Sequence, residues 1–571
     1  MLIKENLFLI LIVILASILR FLWLDRIPVA ISLDELTYVL NAKVMSLYWT
    51  DLTQTWNPLS IFFFNYPPFT TPQAELPYFI LAPFVGLFEL TLLTVRLPFA
   101  ALSVCSVILI YLITKRIWSQ KAALLAAFVA AINPWFIFVG RTAYEVSLSS
   151  FLFLLSFYLL LVLKGRTILL SIPVLFLAFY SYIGTKVSFL PFAILVVYFA
   201  YLLNKKKYTR SYLTVLAACF VLLLVFVLVS HGGERAESLI NINSKVISEE
   251  VNSLRQITIT SPLKSLFENK YTVFVQILTN KLIDSFSFNY LFIRGDGFFA
   301  NMRHGFLYII DLPFLILGTL FIFTKNRKLF YLLVSLLLVG VLPHLVYREE
   351  VYNFVPHISL MLALLPIIIG IGIFEFLVFF RQRKLYLSSI FIVGTLYLLY
   401  LFNFLNVYFY QFPLLGHNDF NERILSKYIS LAKEKGEDVT IYSPQSHEVF
   451  KRHIFYSKSL NYENLSAITE VINYGNYSFQ NVRFEGCDNT IVPLNSSNII
   501  AYDYICGPIT DEEKHVTIPR LVDGGESIRI YNDKVCASYK LKPFPIDIKI
   551  SDFAVEQMGE RGFCETFITS F

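Results

Sequence analysis

Charged residues are scarce in this chain of 571 residues, because Asp, Glu, Lys and Arg together make up only 15% of it. An average soluble domain carries about 25%. Hydrophobic residues instead make up 56% of the chain, 55 residues are Phe, and the mean hydropathy is +0.62. This composition excludes an ordinary soluble globular protein and predicts a polytopic α-helical membrane protein.

Several common site motifs are missing from the sequence. It has no GxGxxG or Walker motif, no HExxH and no paired CxxC, so the usual cytosolic nucleotide-binding folds are not indicated. The net charge is +6, but no basic stripe lies on a soluble segment. We therefore attribute the excess to membrane topology and predict no nucleic-acid partner.

Eleven apolar runs are long enough to be membrane spans, since a spanning helix needs about 20 residues. The N-terminal run has no small-residue cleavage site after it, so we expect a retained first helix. The predicted spans are 7–24, 92–114, 121–139, 143–163, 167–184, 187–203, 211–230, 305–324, 329–346, 354–380 and 385–410.

Basic blocks alternate with these runs and set the predicted orientation. Such blocks collect on the cytoplasmic side of a membrane. The N-terminus is then cytoplasmic, and residues 25–91, 231–304 and those after about 411 lie outside. The apolar stretch 76–88 has 13 residues and two prolines, so we interpret it as an interfacial or re-entrant helix. The basic blocks are Lys115/Arg116, Lys164/Arg166, Lys205 to Lys207 with Arg210, Lys325/Arg327/Lys328 and Arg381/Arg383/Lys384.

The composition changes near residue 412, which divides a membrane domain, 1–411, from a soluble domain, 412–571. A predicted helix over 419–435 precedes strand-length runs at 439–443, 498–504 and 527–532, which indicates a small extracytoplasmic α/β domain. Four of the six cysteines lie there, and an even number in an oxidising compartment indicates disulfides with three pairings open. These are Cys487, Cys506, Cys536 and Cys564, whereas Cys105 and Cys219 lie in apolar runs and are interpreted as packing residues.

The acidic pair Asp34-Glu35 follows the first span by about ten residues. Ionisable residues at a membrane edge are functional candidates by default. A carboxylate there can act as a general base on an acceptor hydroxyl while cations stabilise a leaving phosphate. We predict Asp34 and Glu35 as the catalytic residues.

The predicted short outer loops hold few basic residues, namely Arg141, Lys186 and Arg348, and we expect these to bind an anionic ligand such as a lipid-linked phosphate. Each of the three can also reach a lipid headgroup instead, and that alternative stays open. The predicted donor-phosphate set is Arg96, Arg141, Lys186, Arg303 and Arg348.

A supporting set is predicted from spacing and from turns. Tyr38 shares a helix face with Asp34, and Glu145 stands at i+4 from Arg141, so that both can face one cavity or form a helix-end salt bridge. The segment RGDGFFANMRHG is either part of the site or a polar turn entering a helix, and for His304 alone we favour the structural interpretation. The full set is Tyr38, Tyr66, Glu145, Asp296 and His304. Glu35, Glu145 and His304 carry ligand atoms for a divalent cation, but no ligand spacing indicates a metal site.

The order of these motifs resembles the glycosyltransferase C superfamily, and within it the protein O-mannosyltransferase and aminoarabinose-transferase group of glycosyltransferase family 39. The resemblance covers roughly residues 1–410. It rests on the Asp-Glu pair, a Pro-Pro-aromatic turn, Arg96-Leu97-Pro98 and the N-P-W…GRTAYE turn.

This resemblance implies a multi-helix fold, a polyprenyl- or dolichyl-phosphate sugar donor, an inverting mechanism and an outward-facing site. Asp34 matches the family's catalytic base, Glu35 its acidic neighbour, and Arg141 an arginine that holds the donor or a loop. Two departures exist. Tyr66 stands where the aminoarabinose branch has Lys, so that Lys186 or Arg96 would have to replace that contact. The 231–304 loop is also too short for the β-trefoil domain of the eukaryotic enzymes.

The sequence thus predicts a multi-pass membrane glycosyltransferase that uses a lipid-phosphate sugar and acts on a protein, lipid or glycan acceptor. Two alternatives stay open: a flippase or transporter of lipid-linked sugars, and a non-catalytic envelope-assembly protein. A transporter places ionisable groups near the bilayer midplane. The predicted spans here are nearly free of charge and the acids cluster at one face, which favours the enzyme.

Overall fold

The apolar runs form helices, because only a helix or a closed barrel satisfies its own backbone hydrogen bonds inside lipid. A computed structural model gives the structure of the chain. It describes residues 2–63, 74–229, 244–346, 354–382, 385–415, 418–487, 498–507, 514–541, 543 and 547–570.

Seven described helices are long and apolar enough to cross a membrane, or eight if one bent pair is a single span. The seven stretches run over Leu92–Ile117, Glu145–Val162, Lys186–Leu203, Thr209–Val229, Arg327–Val346, Val355–Arg381 and Tyr386–Leu414. Their helices are α4 (Leu92–Ile117), α7 (Glu145–Val162), α9 (Lys186–Leu203), α10 (Thr209–Val229), α15 (Arg327–Val346), α16 (Ser359–Gln382) and α17 (Tyr386–Asn406). The predicted polytopic helical membrane fold is confirmed, whereas the number of eleven spans stays a prediction.

Three further predicted spans correspond to helices outside this set of seven. These are α1 (Leu2–Phe21), α8 (Ser171–Ser181) and α14 (Asp311–Lys325). The stretch predicted as interfacial forms α3 (Leu76–Leu87). At 12 residues and 1.5 Å of rise per residue, it is shorter than the hydrocarbon core is thick.

The run predicted as one span over 121–139 is broken into two helices, α5 (Gln120–Ile132) and α6 (Pro134–Gly140), which meet at 56°. The break follows from Asn133, which caps α6 through the Phe136 N–H, and from the proline that comes next. Arg20, which is fully buried, donates to the Ala130 and Ala131 carbonyl oxygens at 3.1 and 2.6 Å. It thereby satisfies carbonyls that the broken helix leaves without partners.

Glycines allow a close helix crossing between α14 and α16. A Cβ on Gly372 would lie 1.9 Å from the Phe314 carbonyl oxygen, and one on Gly318 would lie 2.1 Å from that of Ile368. Small residues at such contacts let membrane helices approach backbone to backbone.

Helices outside the candidate spans occupy the two predicted outer loops. The first loop holds α2 (Leu33–Tyr48) as well as α3, and the second holds α11 (Lys245–Ile257), α12 (Lys264–Phe267) and α13 (Lys270–Ser285).

The C-terminal residues form a mixed sheet covered by helices, as the sequence predicts. The strands stand in the order β2-β3-β1-β4-β6-β5-β7, with β1 parallel to β3 and β4 and the other pairs antiparallel. Disulfides join Cys487 to Cys506 and Cys536 to Cys564, one of the three open pairings. The elements are α18 (Asn418–Glu434), β1 (Val439–Tyr442), α19 (Ser446–Tyr456), α20 (Leu465–Tyr474), β2 (Ser478–Phe479), β3 (Val482–Glu485), β4 (Ile499–Asp503), β5 (His515–Pro519), β6 (Glu526–Tyr531), α21 (Glu560–Phe567) and β7 (Thr569–Ser570).

Candidate active site

Asp34 and Glu35 lie in the first turn of α2, where the positive end of the helix dipole favours carboxylates. Ser32 caps this helix and forms a capping box with Glu35. The Ser32 N–H donates to Oε2 of Glu35 at 2.9 Å, and the Glu35 N–H donates to the Ser32 hydroxyl at 3.4 Å. A local pattern, Ser32 with Glu35 three residues later, therefore defines the start of α2.

The second oxygen of Glu35 joins α2 to two other elements. Oε1 accepts the Ala143 N–H at 2.6 Å and lies 3.6 Å from Nε of Arg96. Glu35 is 1% exposed. Both of its oxygens are thus engaged inside the protein, which suits the orienting role predicted for it. That role stays a prediction.

Asp34 is only partly buried, and its Oδ2 accepts the Tyr144 hydroxyl at 3.1 Å. Burial raises the pKa of Asp34 above its ordinary value, the Tyr144 hydrogen bond acts in the opposite direction, and the neighbouring Glu35 charge raises it further. A carboxylate with a raised pKa is a stronger base than an ordinary aspartate. Partial exposure leaves it within reach of a substrate.

A cavity of about 170 Å³ lies beside this pair. Glu35 and the ring of Tyr144 form part of its wall. Aromatic side chains from four other segments form much of the rest, and two residues of the C-terminal domain, Asp419 and Phe420, close one side. The other aromatic lining residues are Phe138, Phe298, Phe299, Tyr408 and Phe412.

Arg96 and Arg141, predicted to bind the donor, are 0% exposed and contact the segment that precedes α2. Arg96 donates to the Pro28 and Ala30 carbonyl oxygens at 2.7 and 2.6 Å. Arg141 donates to the carbonyls of Arg20 and Ile27 at 3.1 and 2.9 Å. Through these contacts both arginines hold the backbone that precedes α2; donor binding by either stays a prediction.

Lys186 is buried against Glu75, an acid that the sequence analysis missed. Its Nζ lies 2.6 Å from Oε1 of Glu75, and the two side chains are 6% and 1% exposed. Phe179, Tyr180 and Phe226 surround the ammonium group. The one sequence signal was that Glu75 directly precedes the apolar run of α3.

The segment predicted around RGDGFFANMRHG forms a loop on the cavity wall. Asp296 accepts the N–H groups of Phe299 and Ala300 at 2.8 and 3.0 Å. Burial raises the pKa of Asp296 to about 6, although these N–H groups lower it. Asp296 therefore shapes the loop that presents Phe298 and Phe299 to the cavity.

Arg303 and His304 end the same loop with different surroundings. Arg303 is exposed and forms no ion pair within the described part of the chain. His304 is 7% exposed, and its Nδ1 lies 2.7 Å from the Gly305 carbonyl oxygen. This placement fits the structural interpretation of His304 and leaves Arg303 open to a ligand.

The helical spacing assumed for Arg141 and Glu145 is wrong. Arg141 caps the C-terminus of α6 and Glu145 begins α7, so residues 141–144 form a break and not a helical turn. Glu145 is 6% exposed, and its side chain interacts with that of Tyr38 instead. The Tyr38 hydroxyl also accepts the Ala74 N–H at 3.1 Å.

Two predicted residues, Tyr66 and Arg348, lie outside the described residues. In the part of the chain that is described, no group of three or more His, Cys, Asp and Glu side chains is arranged to hold a metal ion.

Comparison with known proteins gives one family match. Residues 73–231 match the profile of the family described as dolichyl-phosphate-mannose-protein mannosyltransferase. A search of curated protein sequences finds no match.

Several solved structures are similar to this chain. ArnT from Cupriavidus metallidurans in the apo state is 12% identical with a TM-score of 0.49, over 91% of this chain and 97% of that one. The same protein bound to undecaprenyl phosphate is 12% identical with a TM-score of 0.48, over 92% and 98%. The oligosaccharyltransferase AglB from Archaeoglobus fulgidus, in complex with an inhibitory peptide and a dolichol-phosphate, is 10% identical with a TM-score of 0.47, over 96% and 77%.

The family match includes Arg96, Arg141, Glu145 and Lys186 but begins after Asp34 and Glu35. It confirms the predicted resemblance to the glycosyltransferase C superfamily of membrane proteins and indicates a glycosyltransferase.

Proposed function

We propose that this protein is an inverting glycosyltransferase that moves a sugar from a polyprenyl- or dolichyl-phosphate donor to an acceptor hydroxyl on the outer face of the membrane. The single observation that carries the proposal is Asp34, a partly exposed carboxylate of raised pKa beside an aromatic-lined cavity. The description of the matched family, which names a dolichyl-phosphate-mannose donor, supports the same donor class.

In the proposed reaction, the acceptor O–H transfers its proton to a carboxylate oxygen of Asp34. The acceptor oxygen then forms a bond to the anomeric carbon, and the bond from that carbon to the phosphate oxygen breaks. The leaving lipid phosphate takes both electrons of that bond. General-base assistance of this kind contributes about 10²–10⁴-fold to a rate.

Negative charge grows on the leaving phosphate and requires a cation. Arg96, Arg141 and Lys186 are engaged with carbonyls or with a carboxylate. The exposed Arg303 is better placed to contact the phosphate, since Asn301, two residues earlier, lines the cavity. We assign Arg303 to the donor phosphate and keep Arg348 as a second candidate from the sequence.

Glu35 and the Tyr144 hydroxyl hold the base in place. Tyr144 donates to one oxygen of Asp34, and the other accepts no hydrogen bond from the described residues, which leaves it to take the acceptor proton. Glu35 fixes the first turn of α2 through Ser32, Ala143 and Arg96. A base held in one orientation avoids the entropic cost of ordering it during reaction.

The test is single-turnover transfer from a panel of radiolabelled polyprenyl-phosphate sugars in proteoliposomes. We expect Asp34→Asn to lower the rate by about two orders of magnitude or more. Asp25→Asn is the matched control, because Asp25 is a partly exposed acid in the same loop and pairs with Arg26. Transfer by Asp34→Asn at the wild-type rate would show that the assignment is wrong. Absence of sugar release from every donor by the wild type would favour the flippase alternative.

A further inference from the structure

The hairpin of α11, α12 and α13 exposes an unusual amount of apolar surface. Its inner faces pack on each other through Ile247, Val251 and Val273. Outside that small core, seven large apolar side chains between residues 257 and 275 are at least half exposed. They are Ile257 (79%), Ile259 (88%), Leu263 (55%), Leu266 (61%), Phe267 (66%), Tyr271 (72%) and Val275 (60%). A soluble surface rarely carries such a contiguous patch unless something covers it.

Two of these residues, Tyr271 and Val275, stand one turn apart and form a short apolar stripe on one face of α13. Thr272, Gln276 and Asn280 lie off that stripe. A helix with one apolar face and one polar face, too short and too polar to span, is typical of the membrane interface.

The charge of this segment also favours a lipid membrane as its partner. Between residues 255 and 275 the sequence has three basic residues, Arg255, Lys264 and Lys270, and one acid, Glu268. Basic residues beside an apolar stripe favour anionic lipid headgroups. The hairpin also lies between α10 and α14 in the chain, and the candidate span α10 is itself largely exposed and apolar, so lipid is already the neighbour of this region.

We propose that residues 257–275 form a membrane-seated tip that inserts its apolar side chains into the interface of the bilayer in which the protein sits. Phe267 and Tyr271 lie at headgroup depth, as aromatic residues do at such interfaces. The hairpin thereby holds the loop over 295–304, which borders the cavity, at a fixed height above the lipid.

A fluorophore test measures this insertion directly and independently of catalysis. An environment-sensitive dye is attached at Phe267→Cys in a background of Cys105→Ser and Cys219→Ser, and the protein is placed in phosphatidylcholine–phosphatidylglycerol vesicles. The control is Tyr474→Cys, since Tyr474 is 81% exposed at the end of α20 in the C-terminal domain.

We expect the dye at 267 to shift its emission to the blue and to be quenched by brominated acyl chains, and the dye at 474 to show neither effect. Blue-shifted emission that is unchanged in detergent and unquenched by bromo-lipid would mean burial against protein, in this chain or a second copy. Water-like emission at 267 would mean that the tip stands in solvent. Either result overturns the proposal.

A second inference concerns the C-terminal domain and rests on the proposed function. Its residues hold the backbone that precedes Asp34. Arg423 donates to the Val29 carbonyl oxygen, and the Tyr456 hydroxyl accepts the Ile31 N–H at 2.9 Å. From the membrane domain, Arg96 donates hydrogen bonds to the Pro28 and Ala30 carbonyl oxygens. The polar groups of residues 28–31 are therefore divided between the two domains.

Arg423 is itself rigidly held. It is 1% exposed and forms a two-pronged pair with Glu556, Nε to Oε1 at 2.7 Å and Nη2 to Oε2 at 2.6 Å. Its third contact is the Phe553 carbonyl oxygen at 2.9 Å. A planar guanidinium fixed in this way transmits the position of the C-terminal domain to Val29 with little freedom.

We infer that Arg423 and Tyr456 are positioning residues for Asp34, so that the C-terminal domain is a structural part of the active site. Asp419 and Phe420 of the same domain line the cavity beside Asp34. If the contacts of Arg423 with Val29 and of Tyr456 with Ile31 are lost, residues 28–35 move and the reacting groups lose alignment. A shift of about 1 Å can lower the rate as much as about a hundredfold.

The test uses Tyr456→Phe and Arg423→Lys, with Arg561→Lys as control because Arg561 lies exposed on α21. Hydrogen exchange is the first readout: we expect the amides of residues 28–35 to exchange faster in the two variants while those of β1 and β6 keep their rates. This readout holds even if the proposed reaction is wrong. Uniformly faster exchange over the domain, or none at 28–35, contradicts the inference.

Activity is the second readout. We expect kcat to fall about ten- to a hundredfold with the donor KM unchanged. The acid limb of the pH profile should move toward lower pH, because a loosened Asp34 becomes more hydrated and its pKa falls. A purely structural loss would lower the amount of active enzyme and leave the profile in place.

Discussion

Arg96 and Glu35 form a buried ion pair. Nε of Arg96 lies 3.6 Å from Oε1 of Glu35, and the side chains are 0% and 2% exposed. The same guanidinium binds two carbonyls of the segment before α2. Arg96 of α4 thus contacts both the first turn of α2 and the segment that precedes it.

This pair predicts a strong non-additive effect on stability. Arg96→Met leaves the Glu35 carboxylate buried without its cation and lowers the free energy of unfolding by about 3–5 kcal/mol, as for other broken buried pairs. Arg96→Met together with Glu35→Gln should cost less than the sum of the single changes. Unfolding in detergent micelles measures the cycle, with Arg166→Met as an exposed control. Additive costs would mean that the two side chains do not interact.

Tyr144 predicts a shift in the pH profile. Its hydroxyl donates to Asp34 and so lowers a pKa that burial raises. The base must be ionised to act, so activity falls as the pH drops through this raised pKa, above the ordinary value of about 4. Tyr144→Phe removes the donor, raises the pKa further and should move the acid limb of kcat/KM to higher pH. The measurement is a pH–rate profile beside the exposed control Tyr410→Phe. A limb that stays in place or moves to lower pH would contradict Asp34 as the titrating base.

Substitution of Lys186 distinguishes two roles for this residue: donor binding, which the sequence predicts, and the buried ion pair with Glu75, which the structure shows. If the pair with Glu75 is its function, Lys186→Met lowers the unfolding temperature and leaves the donor KM unchanged. Adding Glu75→Gln should then restore much of the stability, because no buried charge remains unpaired. A raised donor KM in a stably folded Lys186→Met protein would support the phosphate-binding role instead.

The class of fold and the start of α2 could be predicted from the sequence, because both depend on local patterns, whereas the catalytic role of Asp34 and Glu35 stays a prediction. Long apolar runs form helices in lipid whatever surrounds them. Ser32 and Glu35 form a capping box from residues three apart. Three of the seven strands of the C-terminal domain, β1, β4 and β6, were likewise predicted within about one residue of their observed bounds, whereas β2, β3, β5 and β7 were not predicted.

The partners of the cations could not be predicted, since they depend on contacts between distant residues. Lys186 and Glu75 are separated by 111 residues, and Arg423 and Val29 by 394. Most N–H groups of the Arg96 and Arg141 side chains donate to backbone carbonyls. Every residue has such a carbonyl, so the sequence does not indicate which ones an arginine will bind. The helical spacing of Arg141 and Glu145 failed for a local reason, because the chain breaks between α6 and α7.

Arg303 gives the sharpest test of donor binding. It is exposed, it forms no ion pair in the described ranges, and it follows the cavity residue Asn301 by two positions. A charge-assisted hydrogen bond to phosphate is worth about 1.5–3 kcal/mol, so Arg303→Ala should raise the donor KM about tenfold or more without changing stability. Arg294→Ala is the matched control, since Arg294 is an exposed arginine at the start of the same loop. A KM that changes equally in both variants would indicate general attraction to the charged lipid surface. A donor KM that is unchanged in both variants would mean that cations other than Arg303 bind the phosphate.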